Sequence, residues 1–259
     1  LRQKETRELI QIEYQEPEVS MRGNRSFWTW LRSVFSGSFT RKEIEGEIFV
    51  PRTNAITAEV RYGSIEMEGM KGSLRLLGTG NTVTLKNCSA LGDITNDYGK
   101  ATIENCGGAL HLSSKSTTIQ VDRFDGKVAI DADYSNITVR DVKQSLTVRS
   151  TSGTIKVDNV SGDASIRSDY SNITANNIGG MLEVADKSGK IRAKGMDGVK
   201  VEGDYSSMEI SDVSGKAGNA VTLSGQSGSI SLSDAVGEVR IDNPYGAIQL
   251  KKINGSVEI

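Results

Sequence analysis

Six of the seven tyrosines, Tyr62, Tyr98, Tyr134, Tyr170, Tyr205 and Tyr245, recur at intervals close to thirty-six residues, with Gly80, Ser116, Ser152, Ser188 and Ser227 midway between them. Aromatic faces repeated at a fixed spacing can stack on sugar rings or line up along a peptide. The same alternation of large and small side chains can also close the corner of a core, and that packing role is the simpler expectation. Asp97, Asp133, Asp169 and Asp204 precede four of these tyrosines. A shared calcium ion is excluded by their two-repeat separation and by the lack of a GGxGxD motif. Each is expected to bond the backbone of its own turn instead.

Other reactive residue types are few. Cys88 and Cys106 are the only cysteines and lie eighteen residues apart, as do the carboxylates Glu104 and Asp122. His111 is the only histidine, and nothing in the sequence places a Ser or Cys nucleophile beside it. With one His and two Cys there is little material for a zinc site, so no metal and no cofactor are expected. The 31 Lys and Arg against 33 Asp and Glu give a net charge of −2, without the basic excess that nucleic-acid binders use on phosphates. No apolar run reaches the roughly 18 residues needed to span a bilayer.

The elements that must position these residues follow from a repeat. Pairs of alternating apolar residues begin at Ile65, Val83, Ala101, Ile119, Ile137, Ile155, Ile173 and Ile191, eighteen apart throughout, and continue at Met208, Ile230 and Ile248. A one-residue deletion near Met196 to Val199 precedes Met208, and a four-residue insertion within Gly215 to Asn219 lies between Met208 and Ile230. A second series lies nine residues later, including Leu110/Leu112, Val128/Ile130, Leu146/Val148 and Ala164/Ile166. Period-two alternation bounded by Gly, Asn, Asp and Ser predicts two short strands per repeat, joined by turns. Such a unit cannot bury its apolar side alone, whereas stacked copies place residue i beside i+18 at about 4.8 Å. The expected fold is therefore all-β: a single-stranded parallel β-solenoid, or β-helix, of eleven or twelve eighteen-residue rungs, roughly 50 Å long at that spacing.

Stacking turns the isolated residues into columns. Met70, Cys88, Cys106, Phe124, Val142 and Val160 share one inward column, so Cys88 and Cys106 read as buried free thiols, with a disulfide between rungs as the alternative. Glu104 and Asp122 stack near 5 Å, the separation of a retaining glycosidase pair. Lys86 and Arg140 flank them and would hold both carboxylates ionised, which disfavours a general acid. His111 should point outward from its strand. The central outward column contains Glu66, Lys156, Arg192 and Glu209, unlike the uniform threonine face of an ice binder.

Residues 44–259 form the expected solenoid and residues 1–43 an expected N-terminal capping segment. The latter holds strand-like alternation at Glu8–Tyr14 and the aromatic stretch Phe27-Trp28-Thr29-Trp30-Leu31 with Phe35 and Phe39. Covering the apolar end of the stack is the leading role for these aromatics, and attachment to a membrane surface is the alternative. The chain opens on Leu1, from which removal of an upstream export signal is expected. The last residues, Val257-Glu258-Ile259, lie inside an expected strand, so self-association through the C-terminal rung is a further expectation.

Glu47-Ile48-Phe49-Val50-Pro51 followed by Arg61-Tyr62-Gly63-Ser64-Ile65-Glu66-Met67-Glu68-Gly69 carries a resemblance, together with units such as Thr151-Ser152-Gly153-Thr154-Ile155-Lys156-Val157-Asp158-Asn159-Val160-Ser161-Gly162. Over roughly residues 44 to 259 the chain resembles a bacterial adhesin-like family of unknown function built from SGxIxVxxVxG units. That resemblance implies a β-helix exported to the periplasm or cell surface, and it brings no catalytic residues to carry over. The functional expectation is a non-enzymatic adhesin-like binding or scaffold protein of the bacterial envelope with an extracellular protein or glycan as partner. The alternative is a carbohydrate-binding or carbohydrate-active β-helix that uses the tyrosine corner or the Glu104/Asp122 pair. One short insertion offers little to wall a cleft.

Overall fold

The computed structural model describes residues 52–259. The cap expected over residues 1–43, and residues 44–51 of the expected solenoid, lie outside the described residues. From Ile56 onward the chain is strand and turn apart from one 3-10 turn, Lys216–Gly218. Every strand pairing is parallel and most keep the i to i+18 offset, as in Ile119↔Ile137, Ile137↔Ile155 and Ile155↔Ile173. The result is a β-solenoid.

Each rung contributes a strand to two faces of the stack. One face runs from Ser64–Glu68 to Ala247–Asn254, the other from Ile56–Arg61 to Val257–Glu258. In Thr118–Asp133 the side chains of Ile119, Val121, Val128 and Ile130 are buried, while Thr118 and Lys127 are exposed. The pleat sends successive residues to opposite faces, so the alternation read in the sequence becomes the partition between core and solvent. The columns Leu85, Ile103, Val121, Val139 and Leu112, Ile130, Val148, Ile166 are almost wholly excluded from water. Burial of each such side chain contributes about 1.5–3 kcal/mol, spread evenly along the stack.

Three irregularities are absorbed locally. Strict alternation would place Gly92 inward, leaving a gap; a register shift in Leu91–Asp97 instead buries Leu91 together with Ile94. The seventeen-residue repeat is taken up by a shift between Ile178 and Met181. The insertion forms the Lys216–Gly218 turn, after which Val199 pairs with Val221.

One corner is built on left-handed backbone. Asn87, Asn105, Arg123, Asp141, Asn159 and Asn177 precede the inward Cys88-to-Ile178 column, and all have φ between 50° and 58°. Asn and Asp tolerate this region better than other side chains, which explains their recurrence at this point of the repeat. Their side chains also link rungs: Asn177 Nδ2 donates to Asn159 Oδ1 at 3.0 Å, and Asn159 Nδ2 to Asp141 Oδ1 at 3.0 Å.

Candidate functional site

The opposite corner carries the tyrosines. All six point into solvent, between 61% and 84% exposed, and thus do not close the core as expected. The physical reason lies inside the turn, which is polar where packing would need it apolar. Tight turns aim backbone N–H and C=O groups inward, and each such group needs a partner. A ladder of buried Asn, Ser and Thr supplies them. Asn81 accepts from the Gly63 N–H at 2.8 Å and donates to the Val60 carbonyl at 2.7 Å. Thr117 Oγ1 donates to the Asn96 carbonyl at 2.9 Å, Ser135 Oγ accepts from the Thr117 N–H at 3.1 Å, and Ser150 Oγ donates to the Ala132 carbonyl at 2.8 Å.

The large-small alternation operates on the outside of this corner. A side chain added at Gly80 would come within 2.7 Å of the Tyr62 ring, so that ring lies across the small residue of the next rung. Tyr62, Tyr98 and Tyr134 have left-handed backbone, with φ of 57°, 56° and 52°, whereas Tyr170, Tyr205 and Tyr245 are as exposed without it. Two rungs separate successive tyrosines, about 9.6 Å.

Beside the tyrosines runs a shallow groove of about 560 Å³. One wall holds Asp131, Arg149, Arg167 and Glu202, the other Lys115, Asp133, Asp169, Lys187 and Asp204. Ser150, Ser168 and Asp186 lie in the buried column between the walls. Asp133, Asp169 and Asp204 immediately precede Tyr134, Tyr170 and Tyr205, so the groove and the tyrosine row share their turns. Asp133 and Asp169 do not bond their own turns as expected. Asp133 accepts from Thr151 Oγ1 on the next rung, and Asp169 pairs with Lys187 at 2.8 Å, which raises the Lys187 pKa. The stacking brings a side-chain partner closer than the local backbone.

Asp186, which the sequence reading passed over, is 3% exposed. It accepts from the Ser171 N–H at 3.2 Å and from Ser206 Oγ at 3.3 Å. Burial is the main reason its pKa rises from 3.8 to about 6, with the nearby Asp169 charge adding to it and these hydrogen bonds opposing it. Its signal was available: an Asp in the column of Asn96, Ser150 and Ser168.

The remaining candidates resolve as follows. Glu104 and Asp122 are in register, and the Arg123 guanidinium bridges them, reaching Asp122 Oδ2 at 2.7 Å and Glu104 Oε1 as well. The cation that holds them is Arg123, rather than the Lys86 and Arg140 expected. His111 is half exposed between Asp93 and Asp131, at 3.5 Å and 3.0 Å. Cys88 and Cys106 are free and buried, with the Cys88 N–H donating to Cys106 Sγ at 3.3 Å. Hydrogen bonding between the two lowers the pKa of Cys88 and raises that of Cys106, which burial raises further. Among the described residues no three His, Cys, Asp or Glu are grouped to hold a metal ion, and no helix is long and apolar enough to cross a membrane. No family model, curated protein or solved structure matches this chain.

Proposed function

We propose that this β-solenoid is an adhesin-like, non-enzymatic binding protein of the bacterial envelope, acting outside the cytoplasm, and that its tyrosine corner and adjoining groove hold an extended glycan. The observation that carries this reading is the exposure of six tyrosines in one row, at even spacing over the first four, with a groove of charged side chains beside the turns of Tyr134, Tyr170 and Tyr205. Exposed aromatic rings supply apolar faces for sugar rings, and planar carboxylate and guanidinium groups can bond the hydroxyls between them. Regular spacing suits a polymer of repeating units.

An extended peptide is the less favoured partner. Peptides usually add to sheets through free backbone groups at an edge, whereas the strands under this groove already pair on both sides, as Ala164–Ser168 does with Leu146–Arg149 and Tyr170–Asp186. Against a catalytic role at Glu104 and Asp122, the Arg123 guanidinium bridges both carboxylates and occupies the space between them.

The test is a glycan and matrix-protein array probed with the wild type and with Tyr98→Ala/Tyr134→Ala/Tyr170→Ala, after circular dichroism confirms equal β content. Glycan binding lost in the triple variant supports the proposal. Binding that persists in the variant, or no glycan bound by either, contradicts it.

A further inference from the structure

The charges along the groove are unevenly distributed, and this deepens the glycan reading on which the following rests. We propose that the middle of the groove is a carboxylate subsite built by Arg149 and Arg167, so that the glycan it accepts carries one acidic sugar flanked by neutral ones. Arg149 and Arg167 are direct partners in the parallel pairing of Leu146–Arg149 with Ala164–Ser168, which stacks the two cations on adjacent rungs. Like charges directly opposite one another across strands are destabilising, and an anion between them relieves the repulsion.

Their existing partners do not neutralise the pair. Arg149 reaches Asp131 at 3.5 Å, but that carboxylate is also engaged by His111 at 3.0 Å. Arg167 makes no ion pair among the described residues, and the residue beside it on the next rung is the small Ala185. Across the groove, Lys187 is matched by Asp169 at 2.8 Å. Asp186 beneath is buried and turned to Ser171 and Ser206. The exposed middle of the groove is thus locally cationic.

Carboxylates also lie at its ends, Asp131 and Asp133 at one, beside Lys115, and Glu202 and Asp204 at the other, where Lys200 pairs with Glu202 at 2.8 Å. A chain charged at every sugar would meet these carboxylates at both ends, whereas one central carboxylate meets two guanidinium groups whose planar donors match it. The chain's net charge of −2 also disfavours a polyanion.

The experiment is isothermal titration of four linear pentasaccharides of one linkage: neutral, with one central uronate, with that uronate as its methyl ester, and with uronate throughout. The wild type is expected to bind the single-uronate chain about tenfold more tightly than its ester, with the advantage shrinking as salt rises. Arg149→Gln and Arg167→Gln should each reduce the ratio of the affinity for the single-uronate chain to that for its ester. Equal affinity for single uronate and ester, or tightest binding of the fully charged chain, overturns the subsite while the tyrosine groove stands. Failure of the wild type to bind any of the four overturns both.

Discussion

Asp186 occupies an interior column in which its neighbours on adjacent rungs are uncharged, and Asn96 and Asn243 fill the same column elsewhere. Its pKa is raised from 3.8 to about 6 by burial, so between those values the folded chain keeps a proton that the unfolded chain has released. Stability from this group is therefore greatest at low pH, falls as pH rises from about 4 to 6, and stays reduced above that; a shift of this size corresponds to about 3 kcal/mol at most. Asp186→Asn keeps the shape and removes the charge. Chemical denaturation should find the variant more stable than the wild type by about 1–3 kcal/mol at pH 7.5 and nearly equal to it at pH 4. A variant less stable at pH 7.5 would mean the carboxylate is held by more than its serine partners. The cysteines give a second check at this scale, since thiols buried and hydrogen-bonded as Cys88 and Cys106 are should resist a bulky maleimide in the folded chain. Two thiols should then titrate after unfolding without reductant, whereas none would indicate a disulfide.

The turn at the tyrosine corner works as an element because its backbone is satisfied from within and because small residues allow the rungs to approach closely. At Gly153, with φ of 145°, an added Cβ would lie 2.0 Å from the Ser135 carbonyl oxygen. Gly153→Ala should cost at least about 2 kcal/mol in thermal or denaturant unfolding, and a loss below about 0.5 kcal/mol would show the turn to be softer than described. In the strands, Ile137→Asp or Ile155→Asp places an unpaired charge in the dry column and should unfold the stack. Lys156→Asp, on the exposed side of Ser152–Val160, should leave melting nearly unchanged. The strand pattern was legible in the sequence because period-two alternation maps directly onto burial, and Ile119, Ile137 and Ile155 needed no other information. Direction at the turns was less legible. Whether Tyr98 or Tyr134 points in or out depends on the hydrogen-bond needs of buried turn groups, which alternation does not encode. The Asn, Asp and Gly residues preceding the Cys88 column were a readable sign of left-handed turns, whereas Arg123, in the same conformation, carried none.

At the scale of the whole molecule, parallel stacking converts a repeat along the chain into a repeat in space, so a surface feature on one rung recurs at a fixed distance on others. The tyrosine row and its groove are such a feature, each built from several rungs. On the proposed reading, recognition is distributed over these rungs, with a consequence that a compact pocket lacks: affinity depends on how many rungs the ligand spans. Because adjacent tyrosines are about 9.6 Å apart, a chain covering two of them engages one interval and a longer chain engages more. The most direct measurement is affinity, by isothermal titration, as a function of the length of a neutral oligosaccharide identified on the array. Affinity should rise stepwise as the chain becomes long enough to bridge Tyr98 to Tyr134 and then Tyr134 to Tyr170, and Tyr134→Ala should remove the steps. A length dependence that is flat from the shortest bound oligosaccharide onward would contradict a ladder and place recognition at a single point on the solenoid.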